Sequence, residues 1–313
     1  MKLGVTFPQI EIGDNPQVIR EFVQSVEALG YDYLMLYDHV VGADMAVHAD
    51  WKPRNGGPPI YTKDDMFHEP LTLCGYISAI THRIEMSTGV VILPQRQTVL
   101  LAKQAAEIDI LSGGRLRLGL GVGWNELEYQ ALGMNFHDRG KRSEEQIALL
   151  RLLWSQESVT FEGRWHKLVG VGINPLPLRK DIPIWLGGAA DALLDRVVRL
   201  ADGWYPPSSL GRDQLAESIA KMRESAALAG RDPETIGVEG IIRLRGRSVA
   251  DCMEDYRMWR DLGASRLTFN TESSVMWNRL KGGEPSKRNI GMDEAHRLDL
   301  IAEFYHHVST LEA

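Results

Sequence analysis

Cysteine is scarce in this chain of 313 residues. The two cysteines, Cys74 and Cys252, lie far apart, and neither belongs to a Cys-x-x-Cys or a mixed Cys/His spacing. Neither a disulfide framework nor a zinc site is therefore indicated, and we predict no metal. Sparse, unpaired cysteine is typical of proteins of the reducing cytoplasm, which is the location we expect.

Long apolar runs and an excess of positive charge are also missing. No stretch approaches the ~20 apolar residues that a membrane span needs, and the N-terminal MKLGVTFPQ looks like a strand rather than a signal peptide. The net charge of −7 disfavours nucleic acids and anionic membranes as partners, because both are bound by basic surfaces. We expect a protein that acts on a small molecule.

The sequence does contain a regular alternation of strand and helix patterns. About eight strand-helix units follow one another without an interdomain linker, which favours a single (β/α)₈ TIM barrel over residues 1–313 rather than a doubly wound sheet. Segments 40–69 and 271–291 and a hairpin at 159–168 are predicted to be insertions. The other predicted strands include 3–7, 32–37, 84–92, 183–186, 203–205, 238–244 and 267–270.

A glycine-rich stretch, RLRLGLGVGWN at 115–125, is the most unusual of these units. Glycines at three alternate positions weaken a strand, so we interpret them as room for a flat ligand at its carboxyl end. A dinucleotide fingerprint does not fit, because Trp124 occupies the place of its third glycine and a helix pattern follows where an acidic strand end is needed. A buried strand packed under a helix is the alternative.

Polar residues follow several of the predicted strands, and barrel enzymes react at the carboxyl ends of their strands. His39 could exchange a proton near neutral pH, and Asp38 beside it could hold a ligand group. A hydrogen-bonded structural histidine is the alternative. Gly187 and Gly188 precede a helix whose free amide groups could bind a phosphate, although a simple strand-to-helix turn would look the same.

Four segments resemble one known family in the same order along the chain. They are YDHVVGAD, FHEPLTLCGY, the long TGVVILPQRQTVLLAKQAAEIDILSGGRLRLGLGVGWNELEYQALG, and PIWLGGAADALLDRVVRLADGWYP. The chain resembles the luciferase-like monooxygenase superfamily, and specifically its oxidoreductases that depend on the deazaflavin coenzyme F420.

This resemblance implies roles for particular positions. Asp38 and His39 would lie at the reactive face of the coenzyme, and the bond between Gly89 and Val90 occupies the place of a non-prolyl cis peptide that relatives press against the ring. Further coenzyme contacts are implied at Thr88, Val122, Gly123, Gly187 and Gly188, with the coenzyme tail passing Ser208.

The expected reaction is hydride transfer between F420 and a small organic substrate that lies near Trp51 and Trp124, with His39 exchanging the accompanying proton. Well-known deazaflavin sugar-phosphate dehydrogenases carry a glutamate where this chain has Trp124, so we do not expect the same substrate or proton donor here. Relatives are commonly homodimers, which we also expect here.

Two alternatives remain open. One is a monooxygenase that uses O2 and reduced FMN from a partner reductase, although that branch usually has a serine near the phosphate strand where this chain has Ala189 and Ala190. The other is a coenzyme-binding protein of the same fold without its own catalysis.

Overall fold

The computed structural model describes residues 1–49, 51, 61–244, 246–272 and 294–312. The strands are β1 Lys2–Thr6, β2 Tyr33–Leu36, β3 Glu85–Thr88, β4 Val91–Ile92, β5 Leu116–Gly121, β6 Val159–Glu162, β7 Lys167–Val171, β8 Ile184–Gly187, β9 Gly203–Tyr205, β10 Gly237–Arg243 and β11 Arg266–Asn270. The helices are α1 Pro16–Leu29, α2 Pro70–Ile80, α3 Thr98–Ser112, α4 Glu126–Ala131, α5 Arg139–Ser155, α6 Asp191–Leu200, α7 Arg212–Leu228, α8 Val249–Asp261 and α9 Glu294–Glu312.

The parallel strands form a closed barrel. Their order is β3, β2, β1, β11, β10, β9, β8 and β5, and pairing of β5 with β3 closes the ring. β4 continues the position of β3 after a break and also pairs with β5. The predicted (β/α)₈ barrel is confirmed, and β6 and β7 form the predicted antiparallel hairpin outside it.

Local sequence signals set the helix ends. Asn15 accepts a hydrogen bond of 3.0 Å from the amide of Gln17, Pro16 opens α1, and Gly30 ends it with a left-handed φ of 105°. Proline lacks an amide that the first turn would leave unpaired, and glycine adopts positive φ without a steric penalty. Both signals are readable in the sequence.

Side chains alternate between the outside and the inside of the barrel. On β11, Phe269 stacks on Phe304 of α9 with ring centroids 4.2 Å apart, whereas Thr268 donates a hydrogen bond to Glu239 inside the barrel. This alternation follows the two-residue period of a strand. The apolar core therefore lies between strands and helices.

The interior of the barrel is filled by a buried arginine and its partners. Arg117 is 1% exposed, and its guanidinium donates to Glu85 over 2.7 Å and to Glu239 over 2.6 Å. It also lies 4.8 Å from the ring centre of Tyr33 and 4.6 Å from that of Trp185. Because buried charges need such partners, this network closes the barrel floor and leaves the carboxyl ends of the strands as the place for a ligand.

No helix in the described ranges is both long and apolar enough to cross a bilayer.

Candidate active site

The residues proposed for chemistry lie after different strands but on one face of the barrel. Asp38 and His39 follow β2, Val122 to Asn125 follow β5, and Gly188 follows β8. In a parallel barrel all these strand ends point to the same mouth. Ser208 belongs to the same face, in the exposed loop after β9.

Strand three is interrupted at its carboxyl end. The sequence predicts one strand over 84–92, but the structure breaks it into β3 and β4, and the Gly89–Val90 peptide bond between them is cis, as the resemblance implied. The hydroxyl of Thr88 donates to the carbonyl of Gly119 over 2.7 Å. The Val90 side chain packs on the buried cluster Met35, Trp185 and Tyr205 at the centre of the mouth.

This break explains the glycines of β5. A Cβ atom at Gly119 would overlap the carbonyl oxygen of Thr88, and one at Gly121 would overlap the side chain of Val90. At Gly123, which has a φ of 64°, a Cβ would lie 2.8 Å from Ile92. Gly119 and Gly121 therefore make room for strand three of the protein itself rather than for a flat ligand. The predicted ligand contacts at Val122 and Gly123 stay a prediction.

The Asp38 side chain is bound by other residues of the protein. Its carboxylate is 1% exposed and lies 2.8 Å from the guanidinium of Arg96, and it also accepts from the amide of Ile92 over 3.0 Å. Arg96 in turn pairs with Glu69 over 3.0 Å. The Asp38 side chain thus ties the turn after β4 to β2, and only the main chain of Asp38 is left for the predicted ligand contact.

His39 is held by a buried carboxylate. Its Nδ1 lies 3.2 Å from Oε1 of Glu128, whose side chain is 1% exposed. The same oxygen accepts from the amide of Val40 over 3.1 Å and from the hydroxyl of Tyr61 over 3.0 Å, and Gln95 donates to the other oxygen over 3.3 Å. Since a carboxylate only accepts, Nδ1 carries the proton and Nε2 is left for a ligand.

These contacts keep Glu128 ionised. Burial would raise the pKa of this carboxyl, but hydrogen bonds from His39, Gln95 and Tyr61 outweigh it, and the pKa is lowered overall. The pKa of Tyr61 is raised well above its usual value by burial and by the charge of Glu128, so its hydroxyl remains a donor.

Sequence reasoning missed Glu128 and Tyr61. Asn125 caps α4 by accepting from the amide of Leu127 over 3.1 Å, and Glu128 is the third helical residue. An Asn-x-x-Glu pattern is also that of a helix capping box, so the sequence gives Glu128 an ordinary explanation. The signal that could have found it is the position of this helix directly after a strand end that faces the mouth.

Aromatic side chains surround His39. Its ring centre lies 4.0 Å from that of Tyr61, 4.9 Å from Phe67 and 6.0 Å from Trp124, while Trp51 stacks on Trp124 with centroids 6.0 Å apart. A cavity of about 320 Å³ opens beside His39, Tyr61 and Phe67. Such a volume accommodates a small organic molecule.

The start of α6 offers donors to an anion. Gly188 has a φ of 137°, and α6 begins three residues later without a side-chain cap, so its first amide groups lack partners within the helix. The acidic residue of this turn, Asp191, is paired with Lys221 over 2.7 Å. The amide of Gly188 itself donates to the carbonyl of Tyr205 over 3.3 Å. A phosphate would therefore meet the first amides of α6, and the predicted contact at Gly187 and Gly188 stays a prediction.

Comparison with known proteins identifies the fold family. The model of the luciferase-like monooxygenase family matches residues 3–311. A Mycobacterium tuberculosis (strain ATCC 25618 / H37Rv) protein of uncharacterised function is 33% identical over 217 residues, which is 66% of this chain and 74% of the relative.

Relatives with named activities use different coenzymes. An F420-dependent glucose-6-phosphate dehydrogenase of Kineococcus radiotolerans is 27% identical over 83% of this chain and 72% of its own length. An FMNH2-dependent dimethylsulfone monooxygenase of Pseudomonas fluorescens is 32% identical over 57% of this chain and 49% of its own length.

Solved structures agree on the fold. The monooxygenase RslO1 from Streptomyces bottropensis superposes with a TM-score of 0.68 at 20% identity over all of both chains. An F420-dependent secondary alcohol dehydrogenase superposes with a TM-score of 0.71 at 15% identity over 92% of this chain and 99% of its own. This chain therefore belongs to the luciferase-like monooxygenase family, whose members are oxidoreductases.

Proposed function

We propose that this protein is an F420-dependent oxidoreductase that transfers a hydride between the deazaflavin and a small organic substrate. The observation that carries the proposal is the His39–Glu128 pair at the barrel mouth, which leaves Nε2 of the imidazole for a ligand next to the ring of Tyr61 and a cavity of about 320 Å³. A bound deazaflavin supplies the hydride chemistry, because it has carbon in place of the reactive flavin nitrogen and reacts poorly with oxygen.

Residues at the mouth supply proton exchange, exclusion of water and binding of the coenzyme phosphate. His39 exchanges the proton that accompanies the hydride through Nε2, and Glu128 fixes the imidazole in the tautomer that leaves this atom free. Trp51, Trp124, Tyr61 and Phe67 exclude water from the substrate side. The main chain around Gly188 and the start of α6 holds the coenzyme phosphate.

The choice of F420 over FMN rests on two supports. Ala189 and Ala190 leave the phosphate turn without a side-chain hydroxyl, and an F420-dependent relative aligns over 83% of this chain. The alternative is an FMN-dependent monooxygenase that uses O2, which the 32% identity to the dimethylsulfone monooxygenase favours.

A side-by-side titration tests the coenzyme. Purified apoprotein is titrated with oxidised F420 and with FMN, and quenching of tryptophan fluorescence is recorded. We expect micromolar or tighter binding of F420 and at least about tenfold weaker binding of FMN. Tighter binding of FMN, followed by oxygen consumption with reduced FMN, would establish the monooxygenase instead. Tight coenzyme binding without turnover of any hydride donor or acceptor would indicate a binding protein.

We also propose a homodimer. Three apolar side chains of α3 are exposed, Val99 at 40%, Leu100 at 53% and Leu111 at 59%, and burial of such side chains stabilises a contact between copies. Light scattering in solution measures the mass, and a monomer at micromolar concentration would rule the dimer out.

A further inference from the structure

The barrel wall separates between β9 and β10. These strands pair only at two positions, Gly203 with Gly237 and Trp204 with Val238, although β10 continues to Arg243. A cavity of about 440 Å³ is lined by residues of β10, of the segment after β9 and of helices α7 and α8. The residues that line this cavity, which we name the Arg243 pocket, include Ser208, Leu215, Ile241, Arg243, Arg247 and Trp259.

Arg243 is the last residue of β10 and lies on the side of the strand that faces the barrel interior. It has the same parity along the strand as Glu239, which binds Arg117 inside the barrel. It is in register with Asn270, whose amide donates to the hydroxyl of Tyr37 over 2.8 Å. Arg243 therefore ends β10 at the mouth, and its guanidinium is close enough to Tyr37, the residue before Asp38, to act on it electrostatically.

The guanidinium of Arg243 is not paired with a carboxylate in the described part of the chain, and its buried Nε has no hydrogen-bond partner there. The buried Nε atoms of Arg139 and Arg142 also lack partners, but neither residue lines this cavity, and three other arginines are paired with carboxylates. Arg117 is bound by Glu85 and Glu239, Arg297 by Glu11 and Glu294, and Arg96 by Asp38 and Glu69. A buried donor without a partner is costly, so an arginine left unpaired at a cavity indicates a missing acceptor.

The acidic groups near the pocket do not cancel this charge. Asp255, which lines the pocket, is paired with Arg247 over 2.6 Å. Burial, together with the nearby charge of Glu11, raises the pKa of Glu272 to about 8, so this carboxyl is largely protonated at neutral pH. Arg243 thus contributes a net positive charge to the pocket.

We propose that the Arg243 pocket binds an anionic group, a carboxylate or a phosphate, carried by the substrate. A guanidinium presents several donors in a plane and binds such groups in pairs of hydrogen bonds. The volume of about 440 Å³ exceeds that of the anion alone and accommodates part of an organic acid. The assignment of this anion to the substrate rests on the proposed function. Binding of an anion to the apoprotein can be tested without assuming that function.

Calorimetric titration of the apoprotein with inorganic phosphate and with malonate tests the site. We expect wild-type protein to bind at least one of them at low ionic strength, and Arg243→Gln to weaken binding by about tenfold or more. Arg243→Lys retains the charge but loses the paired donors, so it should weaken binding less than Arg243→Gln does. Arg257→Gln, which removes the same charge from an exposed position on α8 outside the pocket lining, is the matched control and should bind as wild type does.

Three outcomes would overturn the proposal. One is the absence of anion binding to wild-type protein, and another is equal affinity in wild type and a folded Arg243→Gln, with circular dichroism as the check on folding. The third concerns the source of the anion. If Arg243→Gln weakens binding of F420 but not of its chromophore without the phosphate-bearing tail, the pocket holds the coenzyme tail rather than a substrate.

Failure of the proposed function has a different signature. Wild-type protein would then bind no F420 while its affinity for phosphate or malonate still depended on Arg243. Unchanged F420 affinity in Arg243→Gln, combined with loss of anion binding, supports a substrate site.

Discussion

The Nδ1 atom of His39 lies 3.2 Å from Oε1 of Glu128, and the Glu128 side chain is 1% exposed. A buried carboxylate behind an imidazole fixes the orientation and the tautomer of the ring, which is how histidines in many active sites are prepared for proton transfer. Glu128 therefore acts through His39 as a positioning residue.

Replacement of Glu128 by glutamine tests this relationship. Glutamine retains the shape but removes the charge, so we expect kcat to fall about 10- to 100-fold and the coenzyme dissociation constant to change less than about threefold. Steady-state kinetics and coenzyme titration measure the two effects. Glu126→Gln, on an exposed position of the same helix, is the control. An unchanged kcat and pH profile in Glu128→Gln would show that the contact between Glu128 and His39 is structural and does not contribute to catalysis.

Alanine at Gly188 should weaken coenzyme binding through its phosphate. The φ of 137° is one that residues with a Cβ rarely adopt, and the added Cβ would lie 3.0 Å from Leu193 in α6. We expect affinity for F420 to fall about 3- to 10-fold and that for the tail-free chromophore to change little.

Gly230→Ala is the matched control for this substitution, because that glycine also has positive φ, 73°, and open space around it. Equal losses for F420 and for the tail-free chromophore would argue against a phosphate site at Gly188.

Substitutions of Gly119 and Gly121 in β5 should both destabilise the protein, but a second substitution should restore stability only at Gly121. Gly119→Ala meets the main-chain oxygen of Thr88, whereas Gly121→Ala meets the side chain of Val90. Each should destabilise the protein by about 1–3 kcal/mol in urea unfolding. Val90→Ala should restore stability to Gly121→Ala but not to Gly119→Ala, as a double-mutant cycle would measure. Additive losses at Gly121 and Val90 would show that the two residues do not interact.

The sequence predicts the barrel well because each unit carries its own signals. Pro16 and Gly30 mark the ends of α1, and the two-residue period of β11 separates Phe269 from Thr268. These signals depend only on residues close in sequence, so they can be recognised without knowing which segments pack together in the fold.

The candidate site is less predictable, because its contacts join distant segments. Nothing near Gly119 in sequence reveals that the Thr88 carbonyl occupies its free space, and nothing near Asp38 reveals Arg96. Glu128 escaped notice for a related reason, since its partner His39 lies 89 positions earlier. Chain spacing carries no information on such pairs.

The acid Glu272 should make stability depend on pH. Its pKa is raised to about 8 in the folded protein, chiefly by burial, whereas an unfolded glutamate titrates near ~4.3. Between these values the folded state holds a proton that the unfolded state has released, so the free energy of unfolding falls as pH rises from about 4.3 to about 8.

Glu272→Gln should therefore raise the melting temperature more at pH 8 than at pH 5, whereas Glu217→Gln, at an exposed position of α7, should shift it equally at both. Thermal unfolding at several pH values measures this. A constant difference between wild type and Glu272→Gln would contradict the raised pKa.

The stacked indoles of Trp51 and Trp124 give the protein a built-in optical reporter. Their rings are 25° from parallel, one on the segment after β2 and one at the end of β5. The far-ultraviolet circular dichroism of two indoles this close depends on their mutual orientation, so the signal changes when either ring turns away. Any molecule that separates Trp51 from Trp124 can therefore be detected without a label, a coloured coenzyme or a completed reaction, so candidate substrates can be screened on the apoprotein directly.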